Sequence, residues 1–154
     1  LRAGIHRDLT ERVVEAMTTN ETSFFRDVNP FDAFRKVVLP EMLTKRASEK
    51  RLHIWCGASS TGQEPYTIAM IMKEFFATHP TWKLSIVATD LSTEVLEKAR
   101  SGSYTQLEVN RGLPASFLVK YFQREGTEWK VKDDVRKLIE FRQLNLIDPS
   151  WGIM

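Results

Sequence analysis

The chain has 154 residues, 42% of them hydrophobic, with seven glycines, six prolines and one cysteine. This is the size of one ordinary globular domain, and the composition excludes disordered, collagen-like and low-complexity classes. Lys plus Arg number 22 against 20 Asp plus Glu, a net charge of +2 that implies no nucleic-acid partner unless the charges are strongly segregated. The longest unbroken apolar run, Ile68–Met72, is too short to cross a bilayer, and no basic segment followed by an apolar stretch opens the chain. Direct membrane insertion is therefore not expected. Cys56 has no second cysteine to pair with, so packing alone must hold the fold, and the reducing cytoplasm is the expected compartment.

Ile5, Leu9, Val13 and Met17 recur every four residues, the apolar stripe of an amphipathic helix that the polar run Thr18–Ser23 ends. Phe31, Phe34, Val38 and Met42 repeat that spacing and predict a helix from about 30 to 46, bent or divided by Pro40. Arg51–Cys56 is short, mostly apolar and followed by glycine, which predicts a strand buried on both faces. A small-residue loop from Gly57 to Gly62 follows. Pro65 then suits a first helical turn ahead of a buried stripe of Ile68, Ala69, Met72 and Phe76.

Leu84–Asp90 predicts a second strand, Ser92 a cap on a helix over Thr93–Arg100, and Gly102 its left-handed stop. From Tyr104 the pattern weakens to a short helix over Ala115–Phe122 and a hairpin around Gly126 that leads into Trp129-Lys130-Val131. Leu138–Leu144 reads as a third strand of the main sheet, with Asn145 just beyond it.

In open α/β sheets ligands bind beyond the carboxyl ends of the strands, and the Gly57–Gly62 loop, Asp90 and Asn145 all fall there. An acid at the end of a second strand can accept both hydroxyls of a ribose. On the loop alone, a tight turn with Asp90 capping the next helix is an equal reading. Glu64, in the first turn after the loop, would repel a pyrophosphate, and Gly62 is followed by Gln63-Glu64 rather than the Lys-Ser or Lys-Thr of a P-loop. NAD and ATP fit poorly for that reason. S-adenosylmethionine, a nucleoside with a sulfonium and an ammonium in place of phosphates, fits the charge.

Four segments now stand in order: Thr18-Thr19-Asn20-Glu21-Thr22-Ser23-Phe24-Phe25-Arg26, Ser60-Thr61-Gly62-Gln63-Glu64-Pro65-Tyr66, Ala88-Thr89-Asp90 and Asn145-Leu146. Together they resemble the chemotaxis receptor methyltransferase (CheR) family, in order from about residue 5 to 148. The resemblance implies a class I S-adenosylmethionine-dependent methyltransferase fold: a Rossmann-like α/β domain with a partial doubly wound sheet, N-terminal helices and a small β-hairpin subdomain. On that pattern residues 1–50 form a helical segment and cofactor-covering loop, 51–154 the first half of the cofactor-binding domain, and 123–137 the small subdomain.

The implied activity is methyl transfer from S-adenosylmethionine to glutamate side chains of membrane chemoreceptors, giving glutamyl methyl esters and S-adenosylhomocysteine. The partner would be the receptors' cytoplasmic helical domain. By the same resemblance Asn20, Thr22, Arg26, Glu64, Asp90, Asn145 and Leu146 match cofactor-contacting positions. Asp90 would take the ribose, Asn145-Leu146 the adenine and Glu64 the cationic methionine end. Arg26, the single candidate catalytic residue, would also meet the substrate carboxylate. A surface ion pair for Arg26 and capping roles for Asn20 and Thr22 are the structural alternatives, and Phe24 and Phe25 read as packing.

A glutamate is already ionised at neutral pH, so the transfer needs alignment and desolvation rather than a nucleophilic side chain. Cys56 reads as a core residue, and His6, His53 and His79 are too dispersed for a metal site. The basic run Lys45-Arg46 to Lys50-Arg51 reads as a solvated face, with attraction to acidic receptor helices as its functional alternative. The short turn near Gly126 favours a member that works without a receptor tethering peptide.

The family's pattern continues past Asn145-Leu146, so Leu52–Cys56 is expected at an unpaired, association-prone sheet edge, in a chain that is a fragment with weak cofactor binding and little activity alone. A noncatalytic cofactor-binding or receptor-docking module, and a methyltransferase for another acceptor such as RNA, are the competing readings.

Overall fold

The computed structural model describes residues 2–152, with side chains described at 9, 10 and from 12 onward. Ile5 and His6 therefore contribute backbone only. The main sheet is parallel, in the order β1 (Arg51–Cys56), β2 (Lys83–Asp90), β6 (Ile139–Gln143). Its register pairs Ile54 with Ile86 and Ala88 with Phe141, so apolar residues line one face of all three strands. Onto that face pack α4 (Gln63–Phe75) and α5 (Thr93–Ser101), joined by the Tyr66 hydroxyl, which donates to the Ala99 carbonyl at 2.8 Å.

Met70, Met72, Ala69, Leu96 and Ala99 are fully buried there. Ser92 caps α5, accepting from the Val95 amide, and Gly102 ends it in the left-handed conformation. The opposite face carries His53, Trp55 and Glu140 exposed. Thus β1 is buried on one face, not two, and its outer edge has no strand partner among the described residues.

Before β1 lie α1 (Arg2–Met17), α2 (Val28–Ala33) and α3 (Leu39–Lys45), with a π-helical turn over Phe34–Val38 between the last two. The helical run is divided directly ahead of Pro40, which stands in the first turn of α3. The chain takes a wider turn just ahead of it, in which the Leu39 amide reaches back to the Phe34 carbonyl, and so absorbs the missing donor. The stripe of α1 stays open, with Leu9, Val13 and Met17 exposed. Its tie to the body is polar: Glu15 Oε1 accepts from the Thr93 amide and hydroxyl, each at 3.0 Å, and from the Ser92 hydroxyl at 3.3 Å.

Between α5 and β6 the chain builds a second, antiparallel sheet, ordered β3 (Ser103–Thr105), β5 (Glu128–Val131), β4 (Phe122–Glu125). The expected helix is α7 (Ala115–Tyr121) and the expected hairpin is β4–β5. Three further elements, β3, α6 (Gln106–Asn110) and α8 (Asp133–Arg136), go beyond the sequence reading. Thr105 and Glu108 close a reciprocal capping box on α6. This small sheet supplies Tyr104 and Phe122, which grip Phe24 edge-on at centroid distances of 5.0 and 5.6 Å. Phe24 is fully buried, so the segment after α1 is pegged into the subdomain.

Candidate functional site: a cavity at the strand ends

The loop after β1 turns through left-handed residues at Ala58 and Ser60, while Gly57 keeps an ordinary backbone. Its glycine requirement falls at Gly62, where φ is +95° and a Cβ would come within 2.9 Å of Ala99 Cβ and 3.0 Å of the Tyr104 hydroxyl. Close packing of α4 on α5, rather than close approach to a ligand, accounts for that glycine. The Tyr104 hydroxyl in turn donates to the Thr61 carbonyl at 2.8 Å, tying the loop to the second sheet.

Asp90 ends β2 with both carboxylate oxygens held. The Ser60 amide donates to Oδ2 at 2.7 Å and the Ser92 amide to Oδ1 at 3.1 Å. Its backbone carbonyl accepts from the Leu144 amide at 2.9 Å, which brings the end of β6 alongside. The buried Asp90 thus organises three strand exits, and the cap of α5 is Ser92. Beyond β6, Asn145 Oδ1 accepts from the Ile147 amide at 3.2 Å in a local turn, next to the exposed Leu146.

These exits open into a cavity of about 830 Å³. Asn20, Thr22, Arg26, Glu64, Asp90, Asn145 and Leu146, from four separate stretches of sequence, all line it. Phe31, Phe34 and Ile68 add an apolar wall that sequence reasoning did not assign. Over it runs the segment Thr18–Asp27. Phe24 anchors that segment, as does the Phe25 amide, which donates to Thr67 Oγ1 at 3.3 Å. A Cβ at Gly112, where φ is +87°, would overlap the Phe24 carbonyl, so only glycine fits beneath it.

Glu64 faces the cavity with no hydrogen-bond or ion-pair partner among the described residues, and burial pushes its carboxyl above the usual range. A carboxylate in that setting is stabilised by an arriving cation. Ser59 Oγ is likewise buried without a partner in the same wall. Arg26 donates to the Glu21 carbonyl at 2.8 Å and pairs with its carboxylate at 4.0 Å, while Asn20 donates to Thr18 Oγ1 at 3.1 Å. Cys56 is buried, and its thiol is pushed up to about 12, first by burial and then by Glu64, so it stays protonated and unreactive. His53 bonds Ser85 at 2.8 Å on the exposed face of the sheet, away from the cavity.

A parallel sheet with an acid at the second strand exit, an unpaired carboxylate in the first turn of the helix after the first strand and a nucleoside-sized cavity between them fits a class I methyltransferase fold. The residues present fit a nucleoside with a cationic tail: one held carboxylate for hydroxyl donors, one unpartnered carboxylate for the positive end.

Comparison with known proteins gives the particular family. Residues 20–154 match the CheR methyltransferase, SAM binding domain, and the chain belongs to that family, whose cofactor is S-adenosylmethionine. It is 46% identical over 144 residues to chemotaxis protein methyltransferase 1 of Pseudomonas aeruginosa, covering 91% of this chain and 52% of that protein. It is 43% identical over 155 residues to the chemotaxis protein methyltransferase of Vibrio parahaemolyticus, covering 99% and 55%. The corresponding protein of Borreliella burgdorferi is 35% identical over 143 residues, covering 90% and 50%. The chain spans about half the length of the curated relatives it matches.

Proposed function

We propose that this chain is the cofactor-binding part of a methyltransferase that esterifies glutamate side chains on the cytoplasmic helical domain of membrane chemoreceptors. The observation that carries the reading is the pair of carboxylates at adjoining strand exits, Asp90 held by two amides and Glu64 left open, facing one cavity. Names of the relatives support the chemotactic setting. No described helix is long and apolar enough to cross a membrane.

In this account Asp90 accepts the ribose hydroxyls, and its two amide donors fix the carboxylate so that no reorientation is needed on binding. Glu64 neutralises the cationic end. Asn20 and Thr22 close the cavity from above, Asn145 and Leu146 flank the base, and Arg26 orients the acceptor carboxylate. Bound, the cofactor supplies a methyl on a sulfonium, which a carboxylate oxygen takes while the sulfur keeps the electron pair of the broken bond. No proton moves, so positioning and exclusion of water, which can be worth about 7–11 kcal/mol, are the protein's contribution. The unpaired edge of β1 is assigned to association, either with further strands or with a second copy.

The test uses the full-length protein carrying this chain, incubated with methyl-labelled S-adenosylmethionine and membranes bearing chemoreceptors. Base-labile label on receptor is the expected result. Base-stable label, or label on RNA, contradicts the ester reading, and cofactor binding with no transfer favours a noncatalytic docking module.

A further inference from the structure

The mouth of the cavity holds a carboxylate already. Glu21 presents Oε2 to Arg26 at 4.0 Å and Oε1 to Arg111 at 3.5 Å, one oxygen to each guanidinium. Arg26 and Arg111 lie far apart in sequence, and Arg111 belongs to none of the motifs that marked the site. It is brought there by the loop between α6 and α7, whose Gly112 seats directly under the Phe24 carbonyl. That loop is well held: α6 is closed by its capping box, and the Trp129 ring nitrogen donates to Gln106 at 2.9 Å.

We infer that Arg111 is a second acceptor-positioning residue, and that Glu21 is an internal stand-in for the substrate glutamate, which displaces it from between Arg26 and Arg111. The inference rests on the function proposed above and adds to it the acceptor subsite. Two cations flanking one carboxylate can orient a glutamate acceptor while leaving a lone pair of one oxygen free to meet the methyl, and the pair is shown here with a carboxylate in place. All three side chains are more than half exposed, so water screens the resident ion pairs and an incoming side chain can replace them at little cost. Glu21 also lines the cavity, so the carboxylate that replaces it would lie against the cofactor site.

The experiment measures steady-state methylation of receptor membranes by the full-length protein, with S-adenosylhomocysteine affinity measured separately by calorimetry. Wild-type activity, established first, decides the parent reading on its own. Against that active wild type, Arg111→Ala is expected to raise the receptor KM about three- to tenfold while kcat and the S-adenosylhomocysteine Kd stay within about twofold. Arg111→Lys, which keeps the charge and loses the fork, falls between, and guards against a folding defect in the alanine variant. Glu21→Gln removes the competitor and lowers the receptor KM. Lys137→Ala, which deletes one exposed positive charge elsewhere, leaves all three constants unchanged. A wild-type receptor KM in Arg111→Ala, an equal rise in its S-adenosylhomocysteine Kd, or a raised receptor KM in Glu21→Gln overturns the inference.

Discussion

The Ser60 amide donates to Asp90 Oδ2 at 2.7 Å, joining the loop after β1 to the last residue of β2 across thirty positions of sequence. With the Ser92 amide on the other oxygen, the carboxylate is fixed before any ligand arrives. Asp90→Asn keeps one acceptor and turns an NH2 group toward one of two backbone donors, a buried mismatch of about 1–3 kcal/mol. We expect a lowered melting temperature by calorimetry. An unchanged melting temperature would show that the two amides do not organise the site.

Gly112 sits at φ +87° against the Phe24 carbonyl. Gly112→Ala forces the backbones apart or strains the loop, at a cost of about 1–3 kcal/mol. The expected outcome is a lower urea midpoint together with weakened S-adenosylhomocysteine binding, since Phe24 anchors the segment over the cavity. Loss of stability with wild-type affinity would separate that segment from the site.

Much of this was legible in the sequence. The strands β1 and β2 and the helices α4 and α5 show apolar spacing clear enough to place them; Glu64, Asp90, Asn145 and Leu146 share a cavity because strand exits converge in this fold, whereas Asn20, Thr22 and Arg26 reach it on the segment that Phe24 anchors. The expectation that β1 is buried on both faces fails at the exposed Trp55, because an apolar run does not reveal which sheet face is covered. Short elements such as β3 and α8 carry too few residues to show a period, although Thr105 and Glu108 had the spacing of a capping box. Long-range polar ties, such as Glu15 reaching Thr93 over 78 positions, leave no local signal.

Glu15 is the carboxylate that fastens the end of α1 to the start of α5, and the Thr93 hydrogen bonds hold its carboxyl below the usual range. Glu15→Ala frees the entry of the covering segment. We expect the S-adenosylhomocysteine off-rate to rise about two- to fivefold in stopped-flow measurements, with the far-ultraviolet circular dichroism unchanged. An unaltered off-rate would confine Glu15 to a surface role.

The carboxyls also set the pH response. Glu74, held low first by Lys120 and then by the Tyr121 hydroxyl, and Asp134, held low by Lys73, fasten α4 to α7 and α8. Their contribution is complete above the ordinary values of 4.5 and 3.8 and is lost as the pH falls through their lowered ones. Glu64 runs the other way: raised by burial, it favours the free fold at low pH, an effect lost as the pH rises through its folded value. A cationic ligand binds its ionised form, so affinity should fall on acidification in the range above 4.5. Calorimetry from pH 7.5 down to pH 5 in wild type and Glu64→Gln checks this, and parallel pH profiles in the two would refute it.

The most direct measurement compares two ligands on two variants: adenosine, which lacks the amino-acid tail, and S-adenosylhomocysteine, which keeps the tail's ammonium although its sulfur is uncharged, titrated into Asp90→Asn and Glu64→Gln. Asp90→Asn should weaken both ligands about tenfold or more, whereas Glu64→Gln should weaken S-adenosylhomocysteine by a similar factor and leave adenosine unaffected. Equal loss of both ligands in Glu64→Gln, or wild-type binding of S-adenosylhomocysteine in either variant, would contradict the division of the cavity between the two carboxylates.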